Sequence, residues 1–360
     1  MSRRRFMTTA IPLAGLGAAM GSYGFWPRLD RYHSEVEHQR QLLSENPDLP
    51  ALIRLSTLAA NSHNTQPWRF RVAENAITLS PDFSRRTAVV DPDDHHLYVS
   101  LGCASENLRI AARAIGRPAE ISLTQAPSIT CHLGRASPRA DALYQAIPLR
   151  QSTRAAFDGM SLSREDLELL RVAAQQDGVQ LMLFTQTKAL EQIGEFVVAG
   201  NSAQMDDPAF IAELRRWIRF SPQTALDTGD GLFSACSGNL ALPEWIASPL
   251  FNRLFTKEAE NRKYRDHIRS SAGVAVFVAQ QPDPAHWIKV GQSFERFALQ
   301  ATALGIRTAH INQPVEVPGL RTEFARWLGL PDQRPDLVVR FGRAPALPMS
   351  LRRPVRDVML

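Results

Sequence analysis

Three polar constellations in the chain carry residue types able to do chemistry. In the first, Ser62-His63-Asn64-Thr65-Gln66-Pro67-Trp68, a string of hydrogen-bonding side chains follows an apolar run that halts at Asn61. In the second, "LRQSTRAAF", Arg150, Ser152 and Arg154 alternate on one side of an extended segment, as period-two geometry requires. The third, "SLRRPVRDV", sets Arg352 and Arg353 ahead of a proline near the C-terminus. Arginine pairs suit a phosphate, whose oxygens they grip bidentately. Serine and asparagine suit a polyol or the amide-rich edge of a ring. His63 has the near-neutral imidazole of an acid catalyst, although a lone histidine more often packs than reacts. Gln66, Pro67 and Trp68 read as a turn into a strand rather than as ligand contacts. Taken singly, the C-terminal arginines read as a solvated basic tail. His95 and His96 lack the cysteine or carboxylate partners typical of a metal site, so no metal is expected.

The elements that must position these groups occur twice. "LGCASENLRIAARAIG" (101–116) and "VGQSFERFALQATALG" (290–305) both read as amphipathic helices closed by a glycine cap. Aligned without gaps they match at Gly102/Gly291, Glu106/Glu295, Ala112/Ala301, Ala114/Ala303 and Gly116/Gly305, a constant offset of 291 − 102 = 189. Ahead of each lies a capped amphipathic helix, "DLPALIRLSTLAA" and "REDLELLRVAAQQDG", that runs into a β-like segment, "WRFRVAENAITLS" and "VQLMLFTQ". "GVAVFVAQ" and "DLVVRFG" add strands to the second copy, which also carries extra helical sequence over about 191–269. The expected fold is therefore α+β, a degenerate tandem duplication. Residues 27–149 form the first half and 150–360 the second.

Composition narrows the class. Of 41 basic residues four are lysine, leaving 37 arginines, yet they are spread along the chain, which argues against a nucleic-acid partner. Three widely spaced cysteines, Cys103, Cys131 and Cys236, make neither a disulfide framework nor a zinc signature. The segment 1–26 pairs a basic head, Arg3 to Arg5, with an apolar run from Ala10 to Met20, and "SRRRF" resembles a twin-arginine export signal. Export to the periplasm, free or anchored at the membrane through the N-terminus, is the expectation.

Together these motifs resemble the nitroreductase superfamily of flavin-mononucleotide (FMN) enzymes. "SHNTQPWRF" is similar to its N-x-QPW motif, "RQSTR" to its R-x-S-x-[KR] motif, and "RRPVRDV" to its C-terminal RRPxxxV phosphate clasp. "DPDDHHLYVSLGCASENLRIAARAIG" and "GQSFERFALQATALGIRTAHINQPVE" resemble the Acg-like branch, two nitroreductase domains fused in one chain. The resemblance runs from about Asp48 to Val358.

Ordinary members of that superfamily are homodimers with flavins at the subunit interface, so the resemblance implies a monomeric pseudo-dimer. The front half keeps the QPW motif and the back half keeps R-x-S-x-R and the clasp, which implies one complete site, one ruined site and one FMN. Arg150 and Arg352, with Arg353, would bind the phosphate, and Ser152 the ribityl chain. Arg154 would lie at the pyrimidine edge. Ser62, His63 and Asn64 would reach across from the front half, and Asn312 and Gln313 would approach the ring. The superfamily's lysine on a helix of the inserted region has no match beyond a guess at Asn201. The implied activity is two-electron transfer between a small-molecule donor and a nitro- or quinone-like acceptor. The alternative is an FMN-holding protein in which residues 200–245 cover the flavin as a lid.

Overall fold

The computed structural model describes residues 25–44, 47–123 and 127–360; the expected export signal falls almost wholly on residues 1–24, outside the described residues. Among the described residues no helix is long and apolar enough to cross a membrane.

The front half opens with α1 (Phe25–Gln39) and α2 (Leu49–Thr57). Asp48 caps α2 by accepting the Ala51 N–H at 2.8 Å. The segment expected as one β-like run bends at Glu74-Asn75 into a hairpin, β1 (Trp68–Ala73) and β2 (Ala76–Pro81). Next come α3 (His95–Ala114), β3 (Ala119–Leu123), β4 (Ile129–Leu133) and the short α4 (Ala142–Ala146). Their antiparallel sheet runs β1-β2-β4-β3. One face of β1 is buried through Trp68 and Phe70 while Arg71 is exposed on the other, so its sequence alternates as a one-sided strand must.

In the back half α5 (Arg164–Ala174) and β5 (Val179–Phe184) precede the inserted region. That region holds α6 (Thr187–Met205), α7 (Pro208–Trp217), β6 (Ile218–Arg219), α8 (Pro222–Thr228), β7 (Leu232–Phe233), α9 (Glu244–Leu254) and α10 (Lys257–Arg269). After it come β8 (Gly273–Ala279), α11 (Pro284–Ala303), β9 (Arg307–His310), α12 (Gln313–Glu316), α13 (Pro318–Trp327), β10 (Pro335–Gly342) and α14 (Val355–Val358). The second antiparallel sheet runs β5-β8-β10-β9. Its central strand β8 is apolar at every position because both faces are covered. Ala275, Phe277 and Ala279 enter the core shared with the front half, and Val274, Val276 and Val278 enter a second core under α6 and α13.

The two halves are copies joined face to face. Their long helices α3 and α11 make the most extensive contact between elements among the described residues. At the crossing, a Cβ on Gly102 would stand 2.0 Å from the Ile288 carbonyl oxygen, and one on Gly291 would stand 2.0 Å from that of Val99. Since 288 − 99 = 189, the contact is self-complementary under the offset read from the sequence, as a two-fold interface demands. Each sheet also borrows an edge partner from beyond its own strands. Met359 bridges Phe70 of β1, and Ser152 bridges Thr308 of β9, both in parallel.

Candidate functional site

The first polar constellation folds as a strained turn. His63, Asn64 and Gln66 have φ of 47°, 54° and 54°, in the left-handed region that side chains other than glycine occupy at a cost. The turn is held from several directions. The Thr65 N–H donates to the Ser62 carbonyl, and the Gln66 N–H donates to Asn61 Oδ1 at 2.9 Å. Asn64 Nδ2 donates to the carbonyls of Gly231 and Leu351, and Gln66 Nε2 donates to that of Gly229. Arg85 reaches the Thr65 carbonyl and pairs with Asp230, which also binds Arg219. So the stretch that begins as a turn is a clasp on the inserted region and on the C-terminal arm.

Behind this turn lies an arginine-lined pocket built from both halves. Arg150 is 3 % exposed and faces Glu295 of α11 at 3.1 Å, while its NH2 group donates to the Leu58 carbonyl at 2.7 Å. Arg352 donates to the carbonyls of Thr57, Leu58 and Ala59 where α2 ends. Arg40, just past α1, donates to the carbonyl of Pro148 and lies in the same pocket with Ser152. Three guanidinium groups against one carboxylate leave the pocket cationic. Burial and the neighbouring Arg150 press the Arg40 guanidinium down to about 10, and its buried Nε has no partner in the protein. The pocket is built for an anion.

This pocket opens into a larger cavity of about 270 Å³, the two sharing Ala60, Asn61, Arg154 and Leu232 as lining. Arg154 makes no hydrogen bond or ion pair with any described residue. It stands between the two spaces, and burial lowers its pKa. Ser62, His63, Asn312 and Gln313 line the cavity, and buried polar atoms face no protein partner at His63 Nδ1 and Gln313 Oε1. Burial first and Arg154 second hold His63 down at about 4 and His310 at about 3, so both rings are neutral. The inserted region supplies an apolar wall, with Phe210, Leu214, Phe220, Phe251 and Phe255, and a polar rim at Lys263 and Tyr264. Apolar walls, scattered hydrogen-bonding atoms and a cation suit a heteroaromatic ring.

The structure therefore gathers Ser62, His63, Asn64, Arg150, Ser152, Arg154, Asn312, Gln313 and Arg352 along one continuous space. Arg353 is the exception. Its backbone N–H binds Gln66 Oε1 and its NH2 group donates to the Asp357 carbonyl, so it faces away from the pocket, and Arg40 completes the cluster instead. Asn64 keeps only Oδ1 unpartnered, its amide nitrogen being held by the clasp. Gln66, expected to do no more than turn the chain, is fully buried and binds both the insertion and the arm. The expectation that His95 and His96 lack a carboxylate partner is also corrected, because Asp91 lies within 4.8 Å of both. Asp91 Oδ1 and Oδ2 accept the N–H groups of His96 and Leu97, and His95 Nε2 binds Asp336 at 2.8 Å. Asn201 does line the cavity, its amide bound to Asn261, and the lysine that lines it is Lys263. Arg40 belongs to no motif, and His96 and His310, although inside the two stretches that resemble the Acg-like branch, carry no local pattern that assigns them to the cavity.

No model of a known protein family matches the chain. "Putative NAD(P)H nitroreductase Rv3131" of Mycobacterium tuberculosis is 26% identical over 334 residues, which cover 87% of this chain and 92% of that protein. "Putative NAD(P)H nitroreductase acg" of the same organism is 23% identical over 330 residues, covering 86% and 94%. Among solved structures, the FMN-dependent nitroreductase NfnB of Mycobacterium smegmatis in complex with NADPH aligns over 56% of this chain and 87% of its own, with 14% identity and a TM-score of 0.39. A nitroreductase with bound FMN from Desulfitobacterium hafniense aligns over 61% and 97%, with 16% identity and a TM-score of 0.37. Over 87% of its length, then, the chain is similar in sequence to a protein described as a nitroreductase.

Proposed function

We propose that the protein is an FMN-dependent oxidoreductase of nitroreductase type with one flavin per chain. The observation that carries this reading is an arginine-lined pocket that shares Arg154 with a larger cavity of mixed polar and apolar lining. The residues fit the group: Arg40, Arg150 and Arg352 would hold the phosphate and Ser152 the ribityl chain. Arg154 would set a positive charge against the ring, and Ser62, Asn312 and Gln313 would meet its edges. The buried, partnerless Nε of Arg40, Nδ1 of His63 and Oε1 of Gln313 are what such a ligand would satisfy. When bound, the flavin supplies the redox chemistry, two-electron transfer as a hydride. The protein's share is to bind, orient and fix a favourable field, since a preorganised cation favours negative charge on whatever lies against it.

The mycobacterial relatives are described as NAD(P)H nitroreductases, which makes a dihydronicotinamide the first donor to test here. If the N-terminal segment directs export, as "SRRRF" suggests, a quinol becomes the more accessible donor. A second reading is favoured by the clasp. Asn64, Gln66 and Arg85 pin residues 229–231 of the insertion beside a cavity that the same insertion walls, an arrangement suited to holding a flavin without turnover.

Purified protein should be yellow, absorbing near about 450 nm, or should take up one equivalent of added FMN. Protein that stays colourless with FMN overturns the flavin reading. Stopped-flow mixing with NADH, NADPH and a quinol analogue then separates the two roles. Rapid bleaching by any of these supports the oxidoreductase, and none bleaching it favours sequestration.

A further inference from the structure

Three histidines line the cavity, His63, His96 and His310, and their surroundings differ. His63 and His310 look onto the unpaired Arg154 and are held neutral. His96, on the first turn of α3, is backed by carboxylates. Its Nδ1 is 3.5 Å from Asp91 Oδ1, and Asp91 is fixed by accepting the N–H groups of His96 and Leu97, each at 3.0 Å. On the other side, Asn312 Nδ2 lies 3.3 Å from His96 Nε2. The orientation of that amide is set, because Asn312 Oδ1 accepts the Val338 N–H at 2.9 Å. Asn312 therefore donates, Nε2 accepts, and the resting ring carries its hydrogen on Nδ1 toward Asp91.

We propose that His96, positioned by Asp91, is the proton donor of the cavity, protonating the electron acceptor as that acceptor receives a hydride. The inference rests on the oxidoreductase reading above. For a quinone the balance is complete. One quinone oxygen gains two electrons and one hydrogen as the hydride that a bound, reduced flavin would supply. The His96 Nε2–H bond breaks and an O–H bond forms at the other oxygen. Solvent then returns a proton to the neutral ring, and the two electrons would come in the end from a dihydronicotinamide or a quinol. Protonation at Nε2 also sets that N–H against the Asn312 amide, donor against donor, which favours release of the proton to an acceptor in the cavity.

The charged groups around His96 act in both directions. On its own helix lies His95, which binds Asp336 of β10. From α12 comes Glu316, held by Gln204 Nε2 at 2.6 Å. Arg334 approaches from the loop before β10, and Arg154, His63 and His310 lie around the cavity. Burial opposes charge on the ring, yet the Asp91 carboxylate 3.5 Å away, with the charge of Glu316, outweighs it and raises His96 above the ordinary imidazole value.

Two measurements test this. In the first, holoprotein with measured FMN content is reduced with dithionite and mixed with benzoquinone from about pH 5 to about pH 9. In wild-type protein the oxidation rate should fall as His96 loses its proton. His96→Gln should oxidise about 100-fold more slowly and lose that limb of the pH profile. Asp91→Asn, which keeps the ring, should move the limb to lower pH. An unchanged rate and profile in flavin-loaded His96→Gln overturns the proposal. In the second, the His96 ring nitrogens are titrated by NMR, with or without flavin. A ring titrating above about 6.5 supports the proposal, and one titrating at or below it overturns the proposal. Failure to bind FMN would sink the oxidoreductase reading by itself and is seen before either measurement.

Discussion

Arg296 holds, against Glu106, the place that Arg150 holds against Glu295. The first pair meets at 3.2 Å and the second at 3.1 Å, and the two glutamates are equivalent under the offset of 189. In one half the end of α2 presents its carbonyls to Arg150 and Arg352 beside an open pocket. In the other, the carbonyls of Ala173 and Gln175 at the end of α5 are taken by Arg296, which also binds Gln176 Oε1. A side chain of the protein thus fills the degenerate counterpart. The flavin content at saturation should be one per chain. Arg296→Ala should lower stability by about 1–2 kcal/mol, since buried Glu106 loses one partner and keeps Arg109 at 2.6 Å, without adding a second equivalent. Two equivalents bound, in either protein, would contradict the plugged site.

The glycine crossing predicts a symmetric mutational response. Gly102→Ala and Gly291→Ala each drive a methyl into backbone, 2.0 Å from a carbonyl oxygen in either case, and backbone cannot swing aside as a long side chain can. Each should cost about 3 kcal/mol or more, read as a fall in Tm. Gly319→Ala, where the added methyl meets nothing within 4 Å, is the control and should be nearly silent.

Arg40 is the least anticipated member of the anion pocket and gives its sharpest test. Riboflavin offers the same ring without a phosphate. Arg40→Ala should therefore weaken FMN about tenfold to 100-fold, as loss of a charge-assisted contact does, while riboflavin affinity holds. Equal losses for both ligands, measured by fluorescence quenching, would mean that Arg40 only supports the fold through Pro148.

Acid should destabilise the protein through the cavity histidines. Burial, then Arg154, holds His310 at about 3 and His63 at about 4 in the fold. An unfolded chain protonates each near about 6.5, so the unfolded state binds more protons below that value. Their contribution is complete above about 6.5 and is lost as pH falls toward the folded values, by up to about 1.4 kcal/mol per pH unit for each ring. His96, raised in the fold, acts in the opposite sense and loses its contribution as pH rises. In Tm measurements from about pH 7 to about pH 4, His310→Asn should show a shallower decline than the unmodified protein. An unchanged slope would place the acid sensitivity elsewhere.

What was legible in the sequence was what local pattern controls. The two central helices, their offset and the strands β8 and β10 carry period and caps within a few residues, and three of the arginines sit in recognisable motifs. At Glu74-Asn75 the apolar positions change phase, from Trp68, Phe70 and Val72 to Ile77 and Leu79, which marks the hairpin, and β3 and β4 alternate at Ile121 and Leu123 and at Ile129, Cys131 and Leu133; a single β-like run overlooks both signals. Arg40, His96 and His310 belong to the cavity through contacts between elements far apart in sequence, which no local pattern records. Arg353 was misplaced for a related reason. Two adjacent residues in an extended arm point to opposite sides, so only one of an arginine pair can face the pocket.

The clasp on the inserted region predicts a change in dynamics rather than in chemistry. Asp230 is 9 % exposed and pairs with both Arg85 and Arg219, and both arginines lie against the Trp217 ring. Removing that carboxylate leaves two mostly buried cations unpaired, a loss on the order of 3–5 kcal/mol when a buried pair is broken. Residues 218–238 pack in a small cluster with α1 and the C-terminal arm, apart from the two cores that hold β8 and β10, so the cost should fall on that segment. Asp230→Asn, and more mildly Gln66→Ala, should speed amide exchange over residues 218–238 while exchange in β8 and β10 is unchanged. With the wall loosened, FMN should dissociate faster and a bulky acceptor should gain access. Uniform exchange across the chain in Asp230→Asn would show that the insertion folds as one unit with the core, and the clasp would then be a stability element and not a gate.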